Sequence, residues 1–385
     1  MLPYKNSLSD ALLVGRVWVP DLGPVLVRVD GDEVVDITST SLPTMQALLE
    51  SENLAQVIRE TPAKRLCSLA VLTENSLRED RHEHIHLLAP PDLQAIKASG
   101  VTFAESMVER VIEEQAAGDA DRAEAIRAKV KSVIGESLSG IEPGSEQAMQ
   151  VKAVLQQEGL WSQYLEVGIG PDAEVFTKCQ PMAAVGFGAD VGIHPISTWN
   201  NPEPEIVLAV NSRAEIVGAT LGNDVNLRDV EGRSALLLGK AKDNNASCAI
   251  GPFLRIFDAN FTLDSIRRAD LSMQVEGVDG FTLEGFSSMT KISRDPESIV
   301  KQTIGRHHQY PDGFFLFLGT MFAPVKDRDA PGQGFTHHGD DVVKITEANL
   351  GELQNRVRYS TECPEWTFGT SALFHNLAKR GLLQA

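Results

Sequence analysis

Trp199-Asn200-Asn201-Pro202-Glu203-Pro204-Glu205-Ile206-Val207-Leu208 is a proline-stiffened polar approach to an apolar run. Proline fixes its own φ and pushes the residue before it out of the helical region, so Pro202 and Pro204 hold this stretch extended. On an extended backbone side chains at i and i+2 point the same way, which makes Glu203 and Glu205 neighbours. Adjacent carboxylates repel each other, and a shared cation relieves the repulsion. Such hard oxygens suit Mg²⁺, Mn²⁺ or Ca²⁺ rather than zinc. The competing reading of the same pair is a solvated strand face.

Residues 205–210 and 215–221 flank a polar turn at 211–213 and predict a hairpin. Its second strand ends in Gly222-Asn223-Asp224-Val225-Asn226-Leu227-Arg228-Asp229, so the hairpin returns Asp224 to the neighbourhood of Glu203 and Glu205. Three carboxylates leave about half of an octahedral shell for substrate and water. Lys240 and Lys242 follow in Gly239-Lys240-Ala241-Lys242-Asp243-Asn244-Asn245-Ala246-Ser247-Cys248. A lysine beside a divalent cation is expected to have a depressed pKa and to serve in proton transfer. The alternative is a pair of exposed charges at a helix end.

The chain of 385 residues is 42% hydrophobic and 23% charged, an ordinary globular mixture. That length accommodates a large core domain and a smaller one. Ala89-Pro90-Pro91 is the expected boundary, because paired prolines continue neither a helix nor a central strand. This gives a small N-terminal domain, 1–90, and a catalytic domain, 91–385. The first contains β-rich runs at 13–19 and 25–29 and a helical stretch near 44–60. In the second, Met107, Val108, Val111 and Ile112 recur at helical spacing, as do Ala123, Ile126, Val130 and Val133. A further helix is predicted over 145–157 with Gly159 as its stop. Residues 314–318, 341–345 and 351–357 read as later strands of the same sheet system.

The net charge of −18 argues against a nucleic-acid partner. A small anionic substrate remains compatible, since one cation and one or two lysines reverse the local potential. Apolar runs such as 69–72 and 314–318 are too short to cross a bilayer. Met1-Leu2-Pro3-Tyr4-Lys5 lacks the start of a signal peptide, and the expected location is cytoplasmic. Cys67, Cys179, Cys248 and Cys363 have no zinc spacing and read as reduced, buried thiols. Gly186-Phe187-Gly188 with Gly192 has the wrong spacing for a dinucleotide loop. His82-Glu83-His84-Ile85-His86 would put three imidazoles on one side of a strand, where an ordinary polar strand is the simpler reading. His337-His338 and Asp340-Asp341 read as a loop before a strand, and no GxSxG elbow occurs.

Taken in order, several motifs resemble the fumarylacetoacetate hydrolase superfamily. They are Pro202-Glu203-Pro204-Glu205, Gly222-Asn223-Asp224 through Arg228-Asp229, and Lys242 ahead of Ala246-Ser247-Cys248-Ala249-Ile250-Gly251-Pro252. Gly319-Thr320, Gly339-Asp340-Asp341-Val342-Val343 and Gly351-Glu352-Leu353-Gln354-Asn355-Arg356-Val357 continue the match. Within it, Gly100-Val101-Thr102-Phe103 leading into Ser106 and Glu109-Arg110, with Phe368-Gly369-Thr370-Ser371-Ala372-Leu373, resembles the 2-keto-3-deoxy-pentonate dehydratase branch.

The resemblance implies an α+β fold: a mixed β-sandwich roll with a smaller N-terminal domain, in a homo-oligomer, dimer or tetramer. Carried over by position, Glu203, Glu205 and Asp224 would hold Mg²⁺, with Mn²⁺ or Ca²⁺ as substitutes. Lys242 and Glu109 would be catalytic, and Thr320, Ser106, Arg110 and Lys178 would bind the sugar-acid substrate. The hydrolase branch adds a ligating Asp and a catalytic His before the sheet. Here residues 102–110 contain neither, which favours a lyase. The implied reaction is dehydration of a 2-keto-3-deoxy-pentonate to 2-ketoglutarate semialdehyde, through loss of the C3 proton and the C4 hydroxyl. The alternatives are a hydrolase or decarboxylase of a related keto acid, or a non-catalytic sugar-acid-binding protein.

Overall fold

The computed structural model describes residues 11–103, 107, 141–322, 324, 326–330 and 334–383. Its first strands are β1 (Leu13–Val19), β2 (Gly23–Asp30), β3 (Glu33–Asp36), β4 (Lys64–Ser68), β5 (His86–Leu88) and β6 (Ala95–Gly100). Then come β7 (Glu174–Cys179), β8 (Asp190–Ile193), β9 (Asn200–Asn201), β10 (Pro204–Val210), β11 (Ile216–Asp224), β12 (Asn226–Leu227) and β13 (Cys248–Ile256). The last are β14 (Asp270–Glu276), β15 (Thr282–Ser288), β16 (Phe314–Phe317), β17 (Val342–Glu347) and β18 (Gly351–Tyr359).

Two strand patterns build two sheets. In β10, β13 and β16 every residue is buried, the signature of strands covered on both faces. Alternate side chains enter different cores: Phe314 and Leu316 pack into one, Phe315 and Phe317 into the other. In β14, β17 and β18 burial alternates with exposure, as on a sheet with one wet face. The eleven-stranded sheet accordingly runs β4-β3-β2-β1-β13-β11-β10-β16-β6-β7, with β5 on β1, and the smaller runs β15-β14-β17-β18-β8. Leu271, Met273, Val275, Val343, Ile345 and Leu353 of the smaller sheet share a core with one face of the larger. Met45, Leu48, Leu49 and Ile58, from two short helices, cover the other face. This is the expected mixed α+β sandwich.

The hairpin is present as β10 and β11, antiparallel, with Glu205 opposite Gly222. The predicted strands at 341–345 and 351–357 are β17 and β18. They belong to the smaller sheet, while β16 lies inside the larger. The helix read over 145–157 is Glu146–Gln157, with Ser145 Oγ accepting from Ala148 N–H at 3.1 Å. It ends at Gly159 (φ 68°): Gly159 N–H bonds Gln156 O and Leu160 N–H bonds Leu155 O, closing the last carbonyls. The helical stretch at 44–60 is two helices, Met45–Leu49 and Leu54–Glu60, parted where Asn53 turns left-handed at φ 52°. His82 to His86 form no single strand: Arg81–Glu83 is a 3₁₀ turn and only His86 enters β5.

Strands on the two sides of Pro90 share hydrogen bonds, since β1 pairs with β13 in the larger sheet. The boundary at 90/91 is therefore proposed as a division of sequence, with both parts contributing to one sheet. The C-terminal helix Thr370–Lys379 clasps the first hairpin, Asn376 Nδ2 donating to Leu22 O at 2.8 Å. Among the described residues no helix is long and apolar enough to cross a membrane.

Candidate metal centre and active site

The β10–β11 register does what the sequence predicts, bringing Asp224 back beside the two glutamates, with Asp224 N–H donating to Glu203 O at 3.0 Å. One oxygen from each of Glu203, Glu205 and Asp224 lies within 4.8 Å of the others, and all three residues are buried. Metal–oxygen distances of about 2.1 Å separate ligands across an octahedron by about 4.2 Å, so small side-chain shifts suffice to close this set on Mg²⁺. Hard carboxylate donors, Glu205 and Asp224 on β10 and β11 and Glu203 in the short link before β10, thus fit a divalent cation.

Each carboxylate is held from behind. Glu205 accepts the Gly319 N–H at 2.7 Å. Gly319 has φ 87°, and an added Cβ would stand 2.1 Å from Thr102 Oγ1, so this position requires glycine on both counts. Asn226 Nδ2 donates to Glu203 Oε1 at 3.1 Å, and Asn223 Oδ1 accepts the Glu203 N–H. Lys242 Nζ lies 2.6 Å from Glu203 Oε2 and 3.1 Å from Asp224 Oδ2.

Electrostatics separate the three acids. Burial, then Asp224 and Glu203, push the Glu205 carboxyl well above the ordinary range against the opposing pull of Lys242. Burial also works upward on Asp224, but Lys178 and Lys242 outweigh it and hold that carboxyl low. Burial alone would lower Lys242, yet Asp224, Glu203 and Glu231 raise it well above the ordinary lysine value. Among the protein's own charges the direction is thus opposite to the depressed lysine expected from sequence, because two carboxylates touch its ammonium.

A cavity opens in front of this cluster, lined by Glu203, Glu205, Asp224, Lys242 and Thr320 among others. Thr320, expected to hold substrate, stands on its wall. Lys178 does not: fully buried, it lies 2.9 Å from Asp224 Oδ1 and donates to the carbonyls of Val225 and Lys242. Its expected contact with substrate is revised to a brace behind Asp224 and behind the helix Leu238–Lys242. Ser106, Glu109 and Arg110 lie outside the described residues, as does most of the helical spacing at 107–133.

Sequence reading missed Glu174, Phe176, Asn201, Arg228 and Glu231 on the cavity wall. Arg228-Asp229 was visible as a motif without a role. In the structure Asp229 accepts from Ser197 Oγ at 2.7 Å and Thr198 N–H at 2.8 Å, which fixes the loop carrying Trp199, and the Arg228 guanidinium lies 4.2 Å from the centre of the Trp199 ring.

Residues 169–358 match the family model described as fumarylacetoacetate (FAA) hydrolase C-terminal, and the three acids, Lys242 and Thr320 all lie within that segment. A 2-dehydro-3-deoxy-D-arabinonate dehydratase of Saccharolobus solfataricus is 30% identical over 188 residues, 48% of this chain and 58% of that protein. A protein of Haloferax volcanii named "Probable 2-keto-3-deoxyxylonate dehydratase" is 29% identical over 213 residues, 55% of this chain and 68% of that one. The chain thus spans somewhat more than half the length of the first relative. A solved 2-keto-3-deoxy-D-arabinonate dehydratase complexed with magnesium and 2,5-dioxopentanoate shares the fold, with TM-score 0.62 and 21% identity over 90% of this chain and 99% of that one.

Proposed function

We propose that this chain is a divalent-metal-dependent hydro-lyase that converts a 2-keto-3-deoxy-pentonate to 2-ketoglutarate semialdehyde in non-phosphorylative pentose oxidation. The observation that carries the reading is the buried Glu203–Glu205–Asp224 cluster facing one cavity with Lys242 and Thr320. The names of the two relatives support the substrate class, and 2,5-dioxopentanoate in the related solved structure is another name for this product. With the reading go Mg²⁺ as the working metal, a homo-oligomer and a cytoplasmic setting.

Glu203, Glu205 and Asp224 would hold the cation, which when bound polarises the keto acid and acidifies its C3 proton. Thr320 would receive the substrate carboxylate. Lys242 projects its ammonium between Glu203 and Asp224 and would exchange a proton with the substrate, with Glu109 as the second candidate. Lys178 would fix Asp224 and the last turn of the helix that bears Lys242. Mass-resolved turnover of both C4 epimers with Mg²⁺, against an EDTA control, tests the reading. Loss of one water, abolished by chelation, is the expected result. Two carbon fragments would reassign the chain to a hydrolase, and loss of CO₂ to a decarboxylase.

A further inference from the structure

The turn after Lys242 separates two cavities. Lys242 faces the carboxylates, whereas Asn245 and Ala246 line a second cavity of about 490 Å³, within the usual size range of small-molecule sites. Its walls come from distant parts of the chain: Trp18 on β1, Arg81 and His86 around β5, and Trp366 and Phe368 ahead of the C-terminal helix.

In a chain of net charge −18 this cavity gathers four arginines, and three of them are already engaged. Arg78 pairs with Asp80 at 2.7 Å, and Arg356 pairs with Asp190 at 2.9 Å and Glu79 at 3.1 Å. Arg16 Nη1 donates to the carbonyls of Ala89 and Pro91. Arg81 differs. Its Nη2 donates to Leu87 O at 2.6 Å, but its Nη1 is buried and makes no hydrogen bond among the described residues. Leaving a buried charged donor unsatisfied is costly, so it marks one half of an interaction. Burial holds this guanidinium down to about 10, with only a partial offset from Asp190.

The rest of the wall is mostly aliphatic and polar, its acids Glu79 and Asp190 are paired with Arg356, and Trp18, Trp366 and Phe368 give it one aromatic side. Trp18 meets Phe368 edge to face at 5.2 Å, and Trp366, bonded through Nε1 to Phe368 O at 3.1 Å, is about half exposed at the rim. A ligand with a planar body and one anionic group satisfies both features at once.

We propose that this cavity is a second binding site, for a small aromatic anion whose carboxylate or phosphate is received by Arg81 and whose ring packs against Trp18 and Trp366. Calorimetric titration of the full chain in EDTA, which keeps anions from being held through a cation at the carboxylates, tests it. The probes are AMP for a phosphate, indole-3-acetate for a carboxylate and adenosine as the uncharged control. Saturable binding of either anion is expected, with adenosine silent. Affinity should fall at least about tenfold, roughly the 1.4 kcal/mol of one charge-assisted hydrogen bond, in Arg81→Gln. It should fall similarly in Trp366→Ala, a change at the exposed rim that leaves the core intact. The tighter of the two anions assigns the source. Absence of binding by both anions, equal binding of adenosine, or unchanged affinity in either variant would overturn the site.

Discussion

Two buried clusters of charge in this protein have opposite internal balance. In the first, Glu203, Glu205 and Asp224 meet two ammoniums, and Glu205 has one hydrogen bond among the described residues and no ion pair. In the second, Asp341 accepts from Arg328 Nη1 at 2.7 Å and Nη2 at 2.8 Å and from the His338 N–H at 3.0 Å, and His337 Nδ1 lies 2.9 Å away. There the partners neutralise the acid and hold its carboxyl at about 2, although burial acts the other way. A structural cluster completes itself with its own side chains. Glu205, pushed upward by burial and by its two acid neighbours, lacks such a match, and on the proposed reading a cation from outside supplies it. The difference teaches that partner geometry, rather than the number of buried acids, separates a binding centre from a brace.

The largest effect that would sharpen this contrast is loss of the unpaired acid. On the proposed reading Glu205→Gln removes a metal ligand and should lower turnover about a thousandfold, near 4 kcal/mol of activation free energy. Mg²⁺ affinity by calorimetry should fall with it, while the melting temperature in EDTA stays level or rises, since repulsion among the acids is relieved. A drop in melting temperature with Mg²⁺ affinity unchanged would reduce the first cluster to a brace.

Next in size is the mirror experiment. Asp341→Asn should destabilise the fold by about 3 kcal/mol, because the buried Arg328 guanidinium loses its principal counter-charge. Urea unfolding measures this, and a loss under about 1 kcal/mol would contradict the self-neutralised picture.

The same residue sets a pH dependence. Asp341 titrates at about 2 when folded and near 4 when unfolded, so its contribution is fully present above the unfolded value. As pH falls from 4 towards 2 the unfolded chain takes up a proton that the folded chain refuses. About 2 kcal/mol is then lost across that window. Unfolding free energies at pH 6 and pH 2.5 should show a smaller difference in Asp341→Asn than in the parent. Equal differences would mean that the carboxyl is not held low.

How much of this was legible beforehand depends on whether the signal was local. The prolines at 202 and 204, the turn at 211–213 and the stop at Gly159 act through neighbours in sequence, and the strands and the helix Glu146–Gln157 formed where expected. The three acids were legible because a hairpin is itself a short-range device. Lys178 was not, since its role depends on a partner 46 positions away, and its burial has no local sequence mark. Arg228 and Glu231 sit on a four-residue helix too short to show a period, and Glu174 lies on an edge strand. The division of β16 from β17 and β18 into different sheets was equally hidden, because each strand looks alike until its pairing partner is known.

The smallest effect concerns Thr320, one residue beyond the glycine that anchors Glu205. Its Oγ1 accepts the Phe322 N–H at 3.1 Å while its side chain stands on the cavity wall, so it has both a loop-holding contact and a place at the site. Thr320→Ala removes a single hydroxyl, and the net worth of one hydrogen bond is about 1 kcal/mol. If the hydroxyl receives the substrate carboxylate equally in ground and transition states, KM should rise about fivefold with kcat nearly constant. Thr320→Ser, which keeps the hydroxyl, should restore KM. A purely loop-holding role gives the other pattern: a lower melting temperature in Thr320→Ala with KM and kcat unchanged. Thr320 would then belong with the self-contained contacts of the second cluster and not with the groups that await a partner in the first.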